Sequence, residues 1–189
     1  MARANCLRLL ALWFRAAAIV NKDHKALLSW RVLLLPYLGE RALFKEFNLR
    51  EPWDSPTNKK LLAKMPKVFA APTDEKSVKA HETFYQVIVG KDTVFEGKKG
   101  IRLTDITDGT SNTLLIVEAG KAVPWTKPED IPYDAAKPVP KLGGLGFENG
   151  VNAAFCDGSV RFLPRTIKEK TLRAVITPNG GEVLDADDF

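Results

Sequence analysis

The feature that most constrains this chain is residues 143–164, GGLGFENGVNAAFCDGSVRFLP, in which two apolar runs flank Asp157-Gly158. Asp-Gly supplies the positive φ angles of a two-residue type I′ turn, so the spacing predicts a β-hairpin with arms over residues 151–156 and 160–163. Alternation in the second arm, with Val160 and Phe162 on one side and Arg161 and Leu163 on the other, predicts a strand with one well-buried face. The glycines before it, Gly143, Gly144, Gly146 and Gly150, let the backbone turn sharply into the first arm. A second Asp-Gly, Asp108-Gly109, leads into the apolar run Leu114 to Val117. The two segments are therefore expected as neighbouring strands of one antiparallel layer, acting as scaffold rather than as reaction centre.

Other elements follow from local pattern. Residues 83–90, TFYQVIVG, read as a strand with residues 93–96 as its partner across Gly90-Lys91-Asp92. Period-two spacing of Trp30, Val32 and Leu34 fits an extended segment over residues 27–35. A helix is expected over residues 37–47 from Tyr37, Leu43, Phe44 and Phe47, with Pro36 in its first turn. Ser55 and Pro56 are an N-cap and a first helical residue, and Pro66 ends that helix. Thr166 to Glu169 fits a capping box for a last helix whose buried side is Leu172, Val175 and Ile176, with Glu182 to Leu184 as an edge strand beyond it. Residues 1–20 are apolar but broken by Arg3, Arg8 and Arg15, too short a run to span a bilayer, and are read as a short amphipathic helix.

Composition narrows function more by exclusion than by assignment. A net charge of +5 arises from 28 basic and 23 acidic residues intermingled along the chain. Nucleic-acid binders concentrate their charge on one face, so no nucleic-acid partner is expected. Two cysteines, Cys6 and Cys156, and two histidines, His24 and His81, have no metal-site spacing. No metal or cofactor is expected. Cys156 is read as a small hydrophobe within the hairpin.

Three places invite chemistry. The oxygen-rich loop of Asp105, Thr107, Asp108, Thr110, Ser111 and Asn112 could in principle hold Ca²⁺, yet these residues cap turns equally well, and capping is the preferred reading. Glu118 ends a buried strand, where a carboxylate pairs with a backbone amide or a basic side chain; paired with Asp157 it would be a hydrolase candidate. Residues 123–141 hold five prolines and read as a long surface loop anchored by Trp125, Ile131 and Tyr133. Trp53, Trp125 and Tyr133 are the candidate binding residues. No nucleophile-base, zinc or phosphate-loop motif is present.

The hairpin sequence GVNAAFCDGSVRFL resembles the C-terminal signature of a large bacterial prepilin-like family, whose domain is named for a histidine, nine residues, then Asp-Gly. Counting back from Asp157 places Phe147 where the family has its histidine. TDGTSNTLLIVEAG, carrying Asp108, Gly109, Thr110, Ser111 and Asn112, resembles the family's entry to a strand, and Asn152, Asp157 and Gly158 match the hairpin signature. LLSWRVLLLPYLGERALFKEF and EPWDSPTNKKLLAKMPKVF resemble its central region. A cysteine often follows Met-Pro-x-Val-Phe in the family; here Ala70-Ala71-Pro72 stands there.

The resemblance implies an α+β, pilin-like globular domain, an antiparallel sheet with a few short helices, over residues 21–189. Residues 1–20 would be a remnant of the long N-terminal prepilin helix, which this chain lacks, unless Met1 is not the true start. It further implies a non-enzymatic cell-envelope protein outside the cytoplasmic membrane, with other pilin-like subunits or envelope components as partners. No span is expected in this chain. The alternative is a solute- or glycan-binding extracytoplasmic module using Trp53, Trp125 and the proline-rich loop.

Overall fold

Apolar runs bounded by turn residues become strands, and short capped stretches between them become helices. The computed structural model describes residues 16–71, 74–96, 101–143, 149–182 and 184. Its elements run β1 (Ala18–Val20), β2 (Ala26–Ser29), α1 (Trp30–Leu34), α2 (Arg41–Glu46), α3 (Pro56–Lys59), α4 (Glu75–Lys79), β3 (Glu82–Gln86), β4 (Ile88–Gly90), β5 (Leu114–Pro124), β6 (Ile131–Tyr133), β7 (Gly150–Phe155), β8 (Val160–Pro164) and α5 (Glu169–Ile176). Single 3₁₀ turns lie at Leu35–Tyr37, Lys60–Lys64, Lys67–Phe69 and Leu103–Asp105. The fold is α+β, as expected.

The main sheet has the order β3-β5-β7-β8 and is antiparallel throughout. Leu114 pairs with Phe155 and Val117 with Ala153, so the segments after and before the two Asp-Gly turns are indeed adjacent strands. One face packs under α5, where Val117, Val151, Phe155, Leu163, Leu172 and Val175 form one core. A larger core gathers Leu28, Val32, Leu35, Phe47, Phe69, Leu115, Trp125 and Cys156 beneath the N-terminal helices and the β1-β2 pair. β4 and β6 form a separate parallel pair, Ile88 opposite Ile131. Among the described residues no helix is long and apolar enough to cross a membrane.

Several expectations change in detail. The hairpin turn is not type I′. Only Gly158 has positive φ, at 86°, while Asp157 does not. The Gly158 amide donates to the Phe155 carbonyl at 2.9 Å and the Phe155 amide to Ser159 at 2.9 Å, which is the pattern of a three-residue loop ending in a left-handed glycine. The buried side of β8 is Leu163, and Val160 and Phe162 face outward, 61% and 47% exposed. Among the described residues no layer covers the face that Val160 and Phe162 share. Gly150 leaves room for the Phe162 ring, since a Cβ there would sit 2.6 Å from its Cζ.

Residues 93–96 form no antiparallel partner strand; a single parallel bridge joins Val89 to Phe95. The extended reading of residues 27–35 holds only to Ser29, whose hydroxyl accepts from the Arg31 amide and starts α1. Period two misled here because Trp30, Arg31, Val32 and Leu34 are all buried, leaving no polar face to betray the helix. The helix expected over residues 37–47 shortens to α2 because Gly39 takes φ 84° and breaks the chain direction. Ser55 caps α3 as expected, accepting from the Asn58 amide at 3.1 Å. No capping box forms at Thr166 to Glu169: α5 begins after Lys168 without a side-chain cap. Of residues 1–20, residues 18–20 are the strand β1 rather than helix. The remaining N-terminal segment to residue 15, Cys6, Phe147, Gly144, Gly146, Val183 and residues 185–189 lie outside the described residues.

Candidate functional site

The oxygen-rich loop is committed to backbone. The Asp108 carboxylate accepts from the amides of Gly180 at 2.6 Å and Gly181 at 3.1 Å, tying the loop to the chain beyond α5. Asn112 Nδ2 donates to the Asp108 carbonyl, and Thr113 Oγ1 to that of Gly109, both at 3.0 Å. Thr107 donates to Asn179 Oδ1 from its amide and its hydroxyl. Asp105 faces Arg102, whose guanidinium and amide bonds hold its carboxyl below the usual range. The bonds accepted by Asp105 and Asp108 occupy lone pairs a cation would need, and the pattern is that of a cap.

The acid candidates are separated and each has a structural partner. Glu118 lies in mid-strand, buried, and its carboxylate accepts from the Asn152 amide at 2.8 Å and from Asn152 Nδ2 at 3.2 Å. Asn152, picked out by the hairpin signature, thus binds β7 to the β5 acid. Asp157 sits at the hairpin tip, where its side chain accepts from the Ser159 amide at 2.8 Å. Leu114 pairs at the tip end of the sheet and Glu118 lies four residues further along, roughly 13 Å at strand rise. They share no cleft. Cys156 is free and buried, its thiol pushed up to about 12 first by burial and then by the Asp157 charge.

The proline-rich segment is anchored more firmly than its composition suggests. Trp125 is fully enclosed, stacked on Phe69 and edge-on to Phe47, with its indole N–H donating to the Leu62 carbonyl at 3.0 Å. Its ring faces are taken up by the core, which corrects its reading as a ligand platform. Tyr133 is buried in β6, with Arg173 over its ring at 5.9 Å. Trp53 is half-buried and lies under Lys127 at 5.7 Å.

The strongest anchor was invisible in the sequence. Arg31, fully buried, pairs with Asp130 at 2.9 Å and also donates to the Tyr85 carbonyl and the Ser29 hydroxyl. Asp130 Oδ1 also accepts from Trp30 Nε1 and the Val87 amide, both at 3.1 Å. Burial raises the Asp130 carboxyl above its ordinary range, with Arg31, Trp30 and the Val87 amide pulling the other way. The two partners stand 99 positions apart, so no local pattern could pair them.

Between the anchored segment, the sheet and α5 lies a groove of about 850 Å³ at the end of the sheet opposite the hairpin tip. One wall is the proline-rich segment, through Ile131, Val139 and Leu142; the floor is Ala119, Val151 and Leu163, with Leu172 of α5 closing the far side. Its size suits a small ligand. Lys121, Lys141 and Arg165 also line it. No candidate residue of the sequence reading lies in it except by way of the loop itself, because its lining is drawn from six separate stretches.

A family model described as "Protein of unknown function (DUF1559)" matches residues 13–93 and 77–139 of the chain. The matched residues include Trp53, Trp125, Tyr133, Asp130 and the Asp108 loop. No curated protein and no solved structure matches.

Proposed function

That the chain belongs to the family described as protein of unknown function DUF1559 is the premise from which we propose its role: a non-enzymatic, prepilin-like domain of the cell envelope. In this reading residues 21–189 work as one unit outside the cytoplasmic membrane, with other pilin-like subunits or envelope components as partners. One observation supports it above the rest. The buried groups with chemical potential are tied into the fold: Asp130 Oδ1 takes three donors, Glu118 is bonded to Asn152, and Cys156 is held as an un-ionised thiol. A general base or nucleophile needs a free lone pair facing a substrate, and a general acid a proton it can give up.

Alkaline phosphatase fused to the C-terminus of the gene product, expressed in its own host, tests the location. Phosphatase activity is the expected result, and activity only after cell lysis sinks the reading.

A second reading, a solute-binding module, is favoured by the groove. Here the groove lining replaces Trp125 as the binding surface. A thermal-shift panel of sugars, amino acids and carboxylates on the full chain tests it; at least one class should raise the melting temperature.

A further inference from the structure

We propose that the groove binds a small anionic amphiphile, an aliphatic chain ending in a carboxylate. This deepens the solute-binding reading and rests on it.

The lining sets the body of the ligand. Ala119, Val123, Ile131, Val139, Leu163 and Leu172 present aliphatic surface, and among the described residues no aromatic ring lines the groove. Sugar faces are held by flat aromatic rings, so a glycan is a poor match for such walls. A flexible hydrocarbon chain fits them, gaining contact with every methylene it inserts.

The rim sets the head group. Among the described residues three acids line the groove, and each is paired with a cation: Asp130 with Arg31, Glu169 with Arg173 at 2.7 Å, and Glu129 with Lys127, which holds the Glu129 carboxyl below its usual range. The cations are not so matched. Lys141 and Arg165 make no side-chain hydrogen bond or ion pair among the described residues, and Lys121 exerts only the weakest of the fields acting on Glu129. An apolar cleft with surplus positive charge at its mouth is complementary to an apolar body with a negative end.

The test is calorimetry on the full chain with octanoate, decanoate and dodecanoate below their micelle concentrations, against dodecanol and dodecyltrimethylammonium. The carboxylates should bind, with affinity rising roughly fourfold per added methylene. The double variant Lys141→Glu/Arg165→Glu, with unchanged melting, should weaken dodecanoate about tenfold. Val139→Trp should fill the groove and block binding; if it fails to fold, the charge variant still decides. Equal binding of the alcohol or the ammonium compound would overturn the head-group assignment, as would dodecanoate binding indifferent to the charge variant. Failure of all the amphiphiles alongside a melting shift with a hydrophilic solute overturns this proposal and leaves the binding reading standing. Silence across both sets overturns both.

Discussion

The two sides of the groove are built on opposite principles. Its floor, where β7 and β8 meet α5, is held by apolar contact: Val151, Leu163, Leu172 and Val175 are all nearly or fully buried and touch one another. Its far wall, the proline-rich segment, pairs through the three-residue β6 and a single bridge from Leu142 to Ala119, and is fixed further by a buried charge pair and a buried indole. Apolar packing is non-directional and tolerates small shifts. A buried ion pair with five further hydrogen bonds does not: it holds one geometry or costs heavily. A segment too rich in proline to run along a ladder takes its fixed geometry from these polar bonds, beside its apolar anchors Ile131 and Tyr133.

The contrast breaks first at Asp130. Replacing it by Ala leaves the Arg31 guanidinium buried without a counter-charge and strips Trp30 Nε1 and the Val87 amide of their acceptor. The expected loss is about 3–5 kcal/mol in urea unfolding. The paired replacement Arg31→Met/Asp130→Leu should recover most of it, since no lone charge is then left inside. A double variant as unstable as Asp130→Ala would show that the pair is worth more than its removal allows.

Leu163→Ala probes the floor. It removes a side chain 2% exposed at the centre of the α5 core and should cost about 3 kcal/mol by cavity formation. The groove wall should survive it. Dodecanoate affinity lost in Leu163→Ala but retained in the double variant would place the binding contacts on the floor.

The floor was also the more legible side. Alternation and Asp-Gly turns exposed β5, β7 and β8, and the 3.6-residue spacing of Leu172, Val175 and Ile176 exposed α5, because local period reports which face is buried. The turn type was misjudged because Asp-Gly suits both a two-residue loop and the last two positions of a three-residue one. The exposed faces of Val160 and Phe162 were misjudged for a different reason: alternation says that a strand has two sides, not that a layer lies over the apolar one. The wall was legible only as a loop with buried anchors, Trp125, Ile131 and Tyr133. Its latch joins Arg31 to Asp130 across most of the fold, and the groove assembles residues from several elements. Neither leaves a spacing in the sequence. Glu118 was read correctly as an amide-bonded acid, but its partner Asn152 entered only through the hairpin signature.

Cys156 tests the core beneath the N-terminal layer, through pH. In the unfolded chain its thiol ionises near 9.0, and in the fold only at about 12. The unfolded chain therefore loses its proton first, so this contribution to stability is complete below about pH 9 and declines as the pH rises toward 12. Urea midpoints measured across that window should fall less steeply in Cys156→Ala than in the parent. In a Cys6→Ser background, a thiol reagent at pH 8 should leave the native protein unlabelled and label it in urea.

The smallest effect belongs to Ser55, and it sharpens the comparison from the other end. Its hydroxyl accepts from the Asn58 amide at the start of α3, and Asn58 in turn donates to the carbonyls of Asn48, Glu51 and Pro52. Ser55→Ala removes one cap from a short helix and should cost about 1 kcal/mol. Ser55→Asp should be nearly neutral, since it supplies an equivalent acceptor and a charge suited to a helix N-terminus. Because Asn58 is itself fully buried, a loss well beyond a single cap would mean that the cap holds the whole Asn58 network in register. The N-terminal layer would then share the wall's dependence on directional bonds, and the α5 side would stand alone as the part of the molecule secured by apolar contact.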